Sequence, residues 1–246
     1  MAIWISALRS ERIKLGRSQI ILLAVIDPIL CAVVGLMSNV GNEEGSWTAL
    51  FMVMTLLHAL LFMPMMAGIF SAFVCRYEHA GGGWKQILSL PVSRTALYLS
   101  KLLVVAGTLA FNQLLFLIVV LGVGLGKGYD LSLIPWEVFA PKLIGGFVAC
   151  LPLAALQLFV STMWSSFAAP LVLNMVFTVP NILVANSVTY GPYYPWAQPM
   201  LVMMQAGGEY DFGAFGLPIE SLMITVGGSF LVFLAAGLVY FNRKPV

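Results

Sequence analysis

Charged residues are scarce in this chain: they make up 9% of its 246 residues, whereas apolar residues make up 61%. A soluble domain usually carries about 25% charged residues, which form its polar surface. A chain with so few cannot cover its apolar surface in water. The composition therefore excludes an ordinary soluble domain, and a net charge of +2 gives no basis for nucleic-acid binding.

Cysteine and histidine are also scarce, with three and two residues. The cysteines at positions 31, 75 and 150 are far apart and show no CxxC or Cys/His spacing. We therefore expect buried free thiols and no metal site. No nucleophile–base set is apparent either, so we expect no catalytic residues.

A nucleotide-binding loop is missing as well. The stretch 122–128, GVGLGKG, is similar to a phosphate-binding loop, but its lysine is followed by glycine where the motif needs serine or threonine. We therefore expect no cofactor and no enzyme activity in this chain, and any use of ATP requires a separate subunit.

Long apolar runs are abundant. Six stretches approach or exceed the roughly 20 residues that a helix needs to cross the hydrocarbon of a bilayer, and the fifth is the weakest because two asparagines and a proline interrupt it. Since backbone groups must pair internally in lipid, continuous runs indicate helices. The sequence predicts an all-α integral membrane protein whose single transmembrane domain covers residues 1–246. The six predicted spans are 19–38, 47–74, 102–125, 143–163, 167–184 and 218–241.

Lys and Arg are concentrated in three segments: before the first span, between the second and third spans, and after the sixth. These segments hold ten of the twelve Lys and Arg residues and are separated by even numbers of spans. Because cytoplasmic loops are enriched in Lys and Arg, both termini are expected to be cytoplasmic.

The N-terminal segment 1–18 is amphipathic. Its apolar residues share one arc of a helical wheel, and its cations lie mostly opposite. This favours an interfacial helix that binds anionic lipid, although a basic flank without regular structure remains open. The candidate membrane-surface residues are Trp4, Arg9, Arg12, Lys14 and Arg17.

The segment 185–217, between the last two spans, has no Lys or Arg and is rich in Tyr, Trp, Gly and Pro. A loop of this length is usually functional or partly structured. Residues 195–205 could form a short helix at the outer leaflet, as part of a re-entrant cap. Simple anchoring by interfacial aromatic residues is the alternative.

The loop 75–101, RYEHAGGGWKQILSLPVSRTALYLSK after Cys75, is the most polar segment. Its glycines break the second helix, and the spacing of Trp84, Ile87 and Leu88 predicts a short amphipathic helix. Pro91 ends that helix and Ser93 is a candidate N-cap for the next. We expect Trp84 and Leu88 to face the cytoplasm or the bilayer, where a soluble partner could dock. A solvated connector is the alternative.

This loop resembles that of ABC-2 type permeases, and among them the permease subunits of lantibiotic-immunity and bacitracin-resistance exporters. Glu11 and Lys14 before the first span match the family's opening. The matching loop residues are Glu78, Gly82, Gly83, Trp84, Lys85, Leu88, Leu90, Pro91, Val92, Ser93, Arg94 and Lys101.

The resemblance implies a transport subunit that works with other chains. Two ABC ATPase subunits, which bind ATP and Mg, would accept the loop helix as a coupling helix. A second permease chain, identical or paralogous, would complete an exporter in a bacterial cell membrane. The residues implied to contact the ATPase are Glu78, Gly82, Gly83, Trp84, Lys85, Leu88, Pro91 and Arg94.

Polar residues inside spans are costly to bury and are candidates for a transport path. The candidates are Asp27, His58, Asn112 and Asn174. A structural hydrogen-bonding role is the other interpretation. Asp27 and His58 could also serve a proton-coupled secondary carrier, and a membrane scaffold or sensor that transports nothing is a third possibility.

Overall fold

The fold is an all-helical bundle, as the sequence predicts. The computed structural model describes residues 10–11, 20–41, 45–79, 83–89, 92–205 and 213–244. Within these ranges the chain forms helices and turns and no strand. The expected interfacial helix lies outside the described residues apart from Ser10 and Glu11, and Gly82 and Pro91 also fall outside them.

Five helices of the described chain are long and apolar enough to cross a membrane. They are α1 (Ile20–Met37), the combined α2 (Ser46–Leu57) and α3 (Met63–His79), α5 (Arg94–Gly126), α6 (Trp136–Met163) and α10 (Ile219–Arg243). One π-helical turn, His58–Phe62, joins α2 to α3 without a break. These helices confirm five of the predicted spans. Several of the helices extend beyond the bounds that the sequence predicts.

The shorter helices lie between the long ones. They are α4 (Gly83–Leu88), α7 (Ala168–Thr178), α8 (Asn181–Ala185) and α9 (Gln198–Met203). Residues Leu131–Leu133, Gly191–Tyr193 and Gly213–Gly216 form single 3-10 turns.

The fifth predicted span is not one continuous helix. Its apolar run is divided into α7 and α8 around Val179 and Pro180. Proline has no backbone N–H and disfavours helical conformation in the residue before it, which explains the break. At about 1.5 Å per residue, α7 is too short to cross the hydrocarbon alone.

Side-chain contacts define the two ends of the bundle. At the "Lys101 end", the Lys101 amine donates to Val74 O at 2.9 Å and the Lys244 amine donates to Thr162 O at 2.6 Å. At the opposite "Lys127 end", the Lys127 amine donates to Ser38 O at 2.7 Å. The long helices run between these ends.

The chain also returns from the Lys101 end to the Lys127 end after α6. Phe167 packs edge-on against Phe73, with ring centroids 5.1 Å apart, near the Lys101 end. At the Lys127 end, the Lys142 amine donates to Met203 O at 3.1 Å and to Gln205 O at 2.9 Å. The contacts with Met203 and Gln205 cap the C-terminus of α9, where a cation is favoured.

Candidate functional site

The short helix α4 lies against the Lys101 end of the bundle. Gly83 begins it at a close approach: an added Cβ would lie 2.9 Å from both Glu78 Cα and Tyr77 O. Glycine therefore lets α4 pack directly on the last turn of α3. At the other side of the loop, the Ser93 hydroxyl accepts from the Ala96 N–H at 3.5 Å and caps α5, as predicted.

Trp84 is the anchor of α4. Its side chain is only 9% exposed, and its ring meets Phe241 of α10 edge-on at 5.4 Å. The indole Nε1–H donates to His79 Nδ1 at 3.0 Å. Since Nδ1 accepts, the other ring nitrogen, Nε2, donates to Ser161 O of α6 at 2.7 Å.

Two lysines lie over the Trp84 ring. The Lys244 amine is 4.5 Å from the ring centroid and the Lys101 amine is 5.6 Å from it, within the range of a cation–π attraction. Partial burial lowers the pKa of Lys244. Arg94 adds a further tie, because its guanidinium donates to Asn242 O at 2.9 Å and to Lys244 O at 2.7 Å.

The expected orientation of Trp84 is therefore wrong. It was expected to face the cytoplasm or the bilayer, but it packs inward because its indole finds an acceptor and two cations there. Leu88 is half-buried and packs against the core. Among the described residues 83–89, the exposed side chains are those of Lys85, Gln86 and Ser89.

A buried charge centre lies next to Trp84. The Lys101 amine is fully buried and lies 2.9 Å from Glu78 Oε1 and 3.2 Å from Glu11 Oε1 and Oε2. Glu78 and Glu11 are themselves 1% and 2% exposed. A buried charge needs such partners, so Lys101 joins the N-terminal segment to the ends of α3 and α5.

A second polar network lies inside the bundle, between its two ends. His58 Nδ1 is 2.8 Å from Asp27 Oδ2, and His58 Nε2 is 2.8 Å from Gln113 Oε1. The Gln113 amide donates to Leu143 O at 3.1 Å, which turns its oxygen toward His58. The His58 ring stacks on Phe116 with centroids 4.0 Å apart.

This geometry limits where protons lie. Because Gln113 Oε1 only accepts, His58 Nε2 carries a hydrogen. One further proton lies between His58 Nδ1 and Asp27, so the pair is neutral overall, whichever of the two groups holds it. Such a pair avoids the cost of a net charge in the membrane interior.

The same network contains a possible set of metal ligands. An oxygen of Asp27, Sγ of Cys31 and a ring nitrogen of His58 lie within 4.8 Å of one another. No metal site is expected from the sequence, because His58 is far along the chain from the other two. In the structure these groups bond to each other, and the Cys31 thiol donates to Asp27 Oδ1 at 3.3 Å.

Asn112 and Asn174 are buried and bond to backbone carbonyls. The Asn112 amide donates to Ala24 O at 2.8 Å, which is the carbonyl that Pro28 leaves without an intrahelical donor. The Asn174 amide donates to Pro64 O at 2.9 Å and its oxygen accepts from Trp196 Nε1 at 2.8 Å. A structural role is therefore visible for both candidates.

The predicted membrane-surface residues cannot be placed, because Trp4, Arg9, Arg12, Lys14 and Arg17 lie outside the described residues. Of the predicted ATPase-contact residues that are described, Glu78, Gly83, Trp84, Lys85, Leu88 and Arg94 all lie at the Lys101 end. The buried Asp27 and His58 are brought together with each other but lie apart from this end.

The sequence also matches known proteins. The model of the family described as "ABC-2 family transporter protein" matches residues 7–181, which is more than half of the chain. The chain belongs to the ABC-2 transporter family.

A curated relative extends this result. The ABC-2 permease described here is 24% identical, over 207 residues, to the "Bacitracin transport permease protein BCRB" of Bacillus licheniformis. The match covers 83% of this chain and 93% of the relative. As an ABC-2 permease, the chain is a multi-pass membrane protein and the permease subunit of an ABC transporter. In this family the nucleotide-binding site is on a partner ATPase.

Several residues of this permease were not recognised from the sequence. His79 and Lys244 contact Trp84 from distant parts of the chain, and no spacing signal connects them. Asn181 donates to Leu60 O at 2.9 Å, in the π-helical turn just before Pro64. A proline inside an apolar run together with an asparagine in another run is the signal that could have suggested such pairs.

Proposed function

We propose that this permease works in an ATP-driven exporter that moves an amphipathic peptide or antibiotic out of a bacterial cell, in self-immunity or resistance. The observation that carries the proposal is α4: a two-turn helix, fastened by Trp84 to the ends of three long helices in an ABC-2 permease. This arrangement suits a coupling helix that an ATPase subunit moves.

The substrate class is supported by the relative. Its name assigns it to bacitracin transport, and the similarity covers most of both chains. Bacitracin is therefore the first substrate to test.

The proposed assembly has two permease chains and two ATPase subunits. ATP and Mg are bound by the ATPases. The second permease is identical or paralogous to this chain. Large apolar side chains exposed on α7, such as Val172, Val176 and Met175, support burial against lipid or against that second chain.

We propose six crossings with both termini in the cytoplasm. Phe167 lies near the Lys101 end, whereas Met203 at the end of α9 bonds to Lys142 near the Lys127 end. This return of the chain supports a fifth crossing through α7 and α8. Of the basic residues that the structure describes, Arg94, Lys101 and Lys244 lie at the Lys101 end, which supports placing that end in the cytoplasm. The predicted interfacial helix at 1–18 would bind the lipid surface on this side.

The segment 185–217 is proposed to form the outer cap. Its helix α9 is wholly buried, and the Gln198 amide donates to Pro192 O at 2.8 Å and to the Ser229 hydroxyl at 3.2 Å. These bonds fix α9 against the segment itself and against α10, which supports a folded cap over simple aromatic anchoring.

The proposal is tested with the permease–ATPase complex purified through a tag on this chain. After reconstitution into proteoliposomes, ATP should drive bacitracin transport, and omission of ATP or of the ATPase should abolish it. A complex that hydrolyses ATP but moves no substrate, including bacitracin and related peptides, would instead support a scaffold or sensor.

A proton-coupled carrier is the second candidate, favoured by the 2.8 Å bond between the buried Asp27 and His58. It requires transport without any ATPase that is driven by a pH gradient and lost in Asp27→Asn. The exporter proposal instead expects no transport without the ATPase. For the Asp27→Asn complex, the exporter proposal expects that ATP-driven transport persists and that the protein is less stable.

A further inference from the structure

The two faces of α4 have different surroundings. Trp84 faces the bundle, whereas Lys85 and Gln86 on the helix and Ser89 just after it are exposed. A partner that approaches from solvent meets the exposed side chains first. The buried indole is available only to the permease itself.

Trp84 connects α4 to three long helices. Through His79 it reaches the last turn of α3 and the Ser161 carbonyl of α6. Through its ring it contacts Phe241 of α10 and the Lys244 amine, which in turn bonds to Thr162 O of α6. Six residues form too short a helix to be stable alone, so contacts of this kind determine the position of α4.

The helix α6 carries these contacts across the molecule. It runs from the Lys101 end, at Ser161 and Thr162, to the Lys127 end, where Lys142 holds the C-terminus of α9. A displacement of α4 that is transmitted to α6 would therefore reach the buried helix α9 along one continuous helix, in which Pro152 is the point most open to bending.

We propose that Trp84 is a latch residue that transmits movement of α4 to α6 and α10, and that the ATPase subunit contacts the opposite face, at Lys85, Gln86 and Ser89. Because Lys85 is an exposed cation, we expect it to meet an anionic group on the surface of that ATPase. This inference rests on the proposed function, and it separates the residues that transmit movement from those that bind the partner.

The test compares one inward and one outward substitution in the reconstituted permease–ATPase complex. Trp84→Phe keeps an aromatic ring near Phe241 and the lysines but removes the N–H bond to His79. We expect normal assembly and ATP hydrolysis but about fivefold less bacitracin moved per ATP, the effect of losing one buried hydrogen bond. Lys85→Glu should instead weaken co-purification of the ATPase by about tenfold.

Two further variants make the result decisive. His79→Gln disturbs the same bond from its other side and also the bond to Ser161 O, so the double variant with Trp84→Phe should be no worse than His79→Gln alone. The matched control is Trp136→Phe, which changes an exposed tryptophan at the Lys127 end. It should leave the amount of bacitracin moved per ATP unchanged.

Three outcomes would overturn parts of the interpretation separately. If the wild-type complex transports bacitracin with ATP and Trp84→Phe moves as much bacitracin per ATP, the latch role of Trp84 is wrong, but the exporter proposal remains supported. Loss of ATPase binding in Trp84→Phe, with Lys85→Glu unaffected, would reverse the assignment of the two faces. Absence of ATP-driven transport in the wild type would overturn the proposed function itself.

Discussion

At the scale of single residues, buried amides compensate for prolines. Pro28 and Pro64 each lack a backbone donor within a long helix, and Asn112 and Asn181 donate to the carbonyls of Ala24 and Leu60, four residues before these prolines. In lipid an unpaired carbonyl has no water to bond. A proline within a span is therefore tolerated here because a neighbouring helix provides the missing hydrogen bond.

Asn112→Leu should lower the free energy of unfolding by about 1–3 kcal/mol, because it leaves the Ala24 carbonyl buried and unpaired. The cost should shrink in a Pro28→Ala background, where the backbone N–H of residue 28 can bond to that carbonyl. Reversible unfolding in detergent measures both values. Asn186→Leu, at an exposed position, is the control; an equal cost there would contradict the pairing.

Lys101 illustrates the cost of removing one partner from a buried charge centre. Lys101→Met leaves Glu11 and Glu78 without their shared cation and should destabilise the protein by about 3–5 kcal/mol. The exposed Lys85→Met should change stability by no more than about 0.5 kcal/mol. The unfolding midpoint in detergent distinguishes the two, and similar midpoints would show that the charge centre is not formed.

At the scale of elements, the short helices obtain their position from tertiary contacts. The helix α7 packs on α3 across Gly68, where an added Cβ would come within 2.6 Å of Asn174 Cγ. Asn174 cannot easily move, since its amide and its oxygen are both hydrogen-bonded. The close approach of these two helices therefore depends on glycine.

Gly68→Ala should destabilise the protein by about 1–3 kcal/mol, as expected for overpacking against a fixed side chain. Gly107→Ala, in α5, meets open space and should be neutral or slightly stabilising because alanine favours helix. Thermal unfolding of both variants provides the comparison. A harmless Gly68→Ala would show that α7 does not pack on α3 this closely.

At the scale of the whole molecule, the bundle has two chemically different ends. The Lys101 end holds the buried charge centre, the Trp84 contacts and the exposed face of α4. At the Lys127 end, the Trp47 indole donates to Asp130 O at 2.8 Å, and the Ser132 N–H donates to the exposed Asp130 carboxylate. That bond lowers the pKa of Asp130.

Single cysteines introduced at exposed positions test the proposed topology. Ser89→Cys and Ser166→Cys should react with an impermeant maleimide only from the cytoplasmic side. Ser132→Cys and Thr189→Cys should react only from outside. The native cysteines are buried and provide the unlabelled background. Labelling of Ser166→Cys and Thr189→Cys from the same side would exclude a fifth crossing.

The sequence alone determined the class of the protein and the positions of five spans, because the length and continuity of apolar runs depend only on local composition. It also located the short helix at 83–88 and the Ser93 cap, since both follow from nearby residues. Its weakest prediction, the fifth span, failed as a continuous helix at Pro180, which is also a local effect.

Only the tertiary structure decided which way Trp84 faces and what His58 contacts. An amphipathic spacing shows that two sides of a helix differ, but it does not show which side meets protein. The acceptor for Trp84 and the cations above its ring come from α3, α5 and the end of the chain. Likewise His58 is joined to Asp27 and Gln113 by the packing of three helices, which no spacing along one of them can reveal.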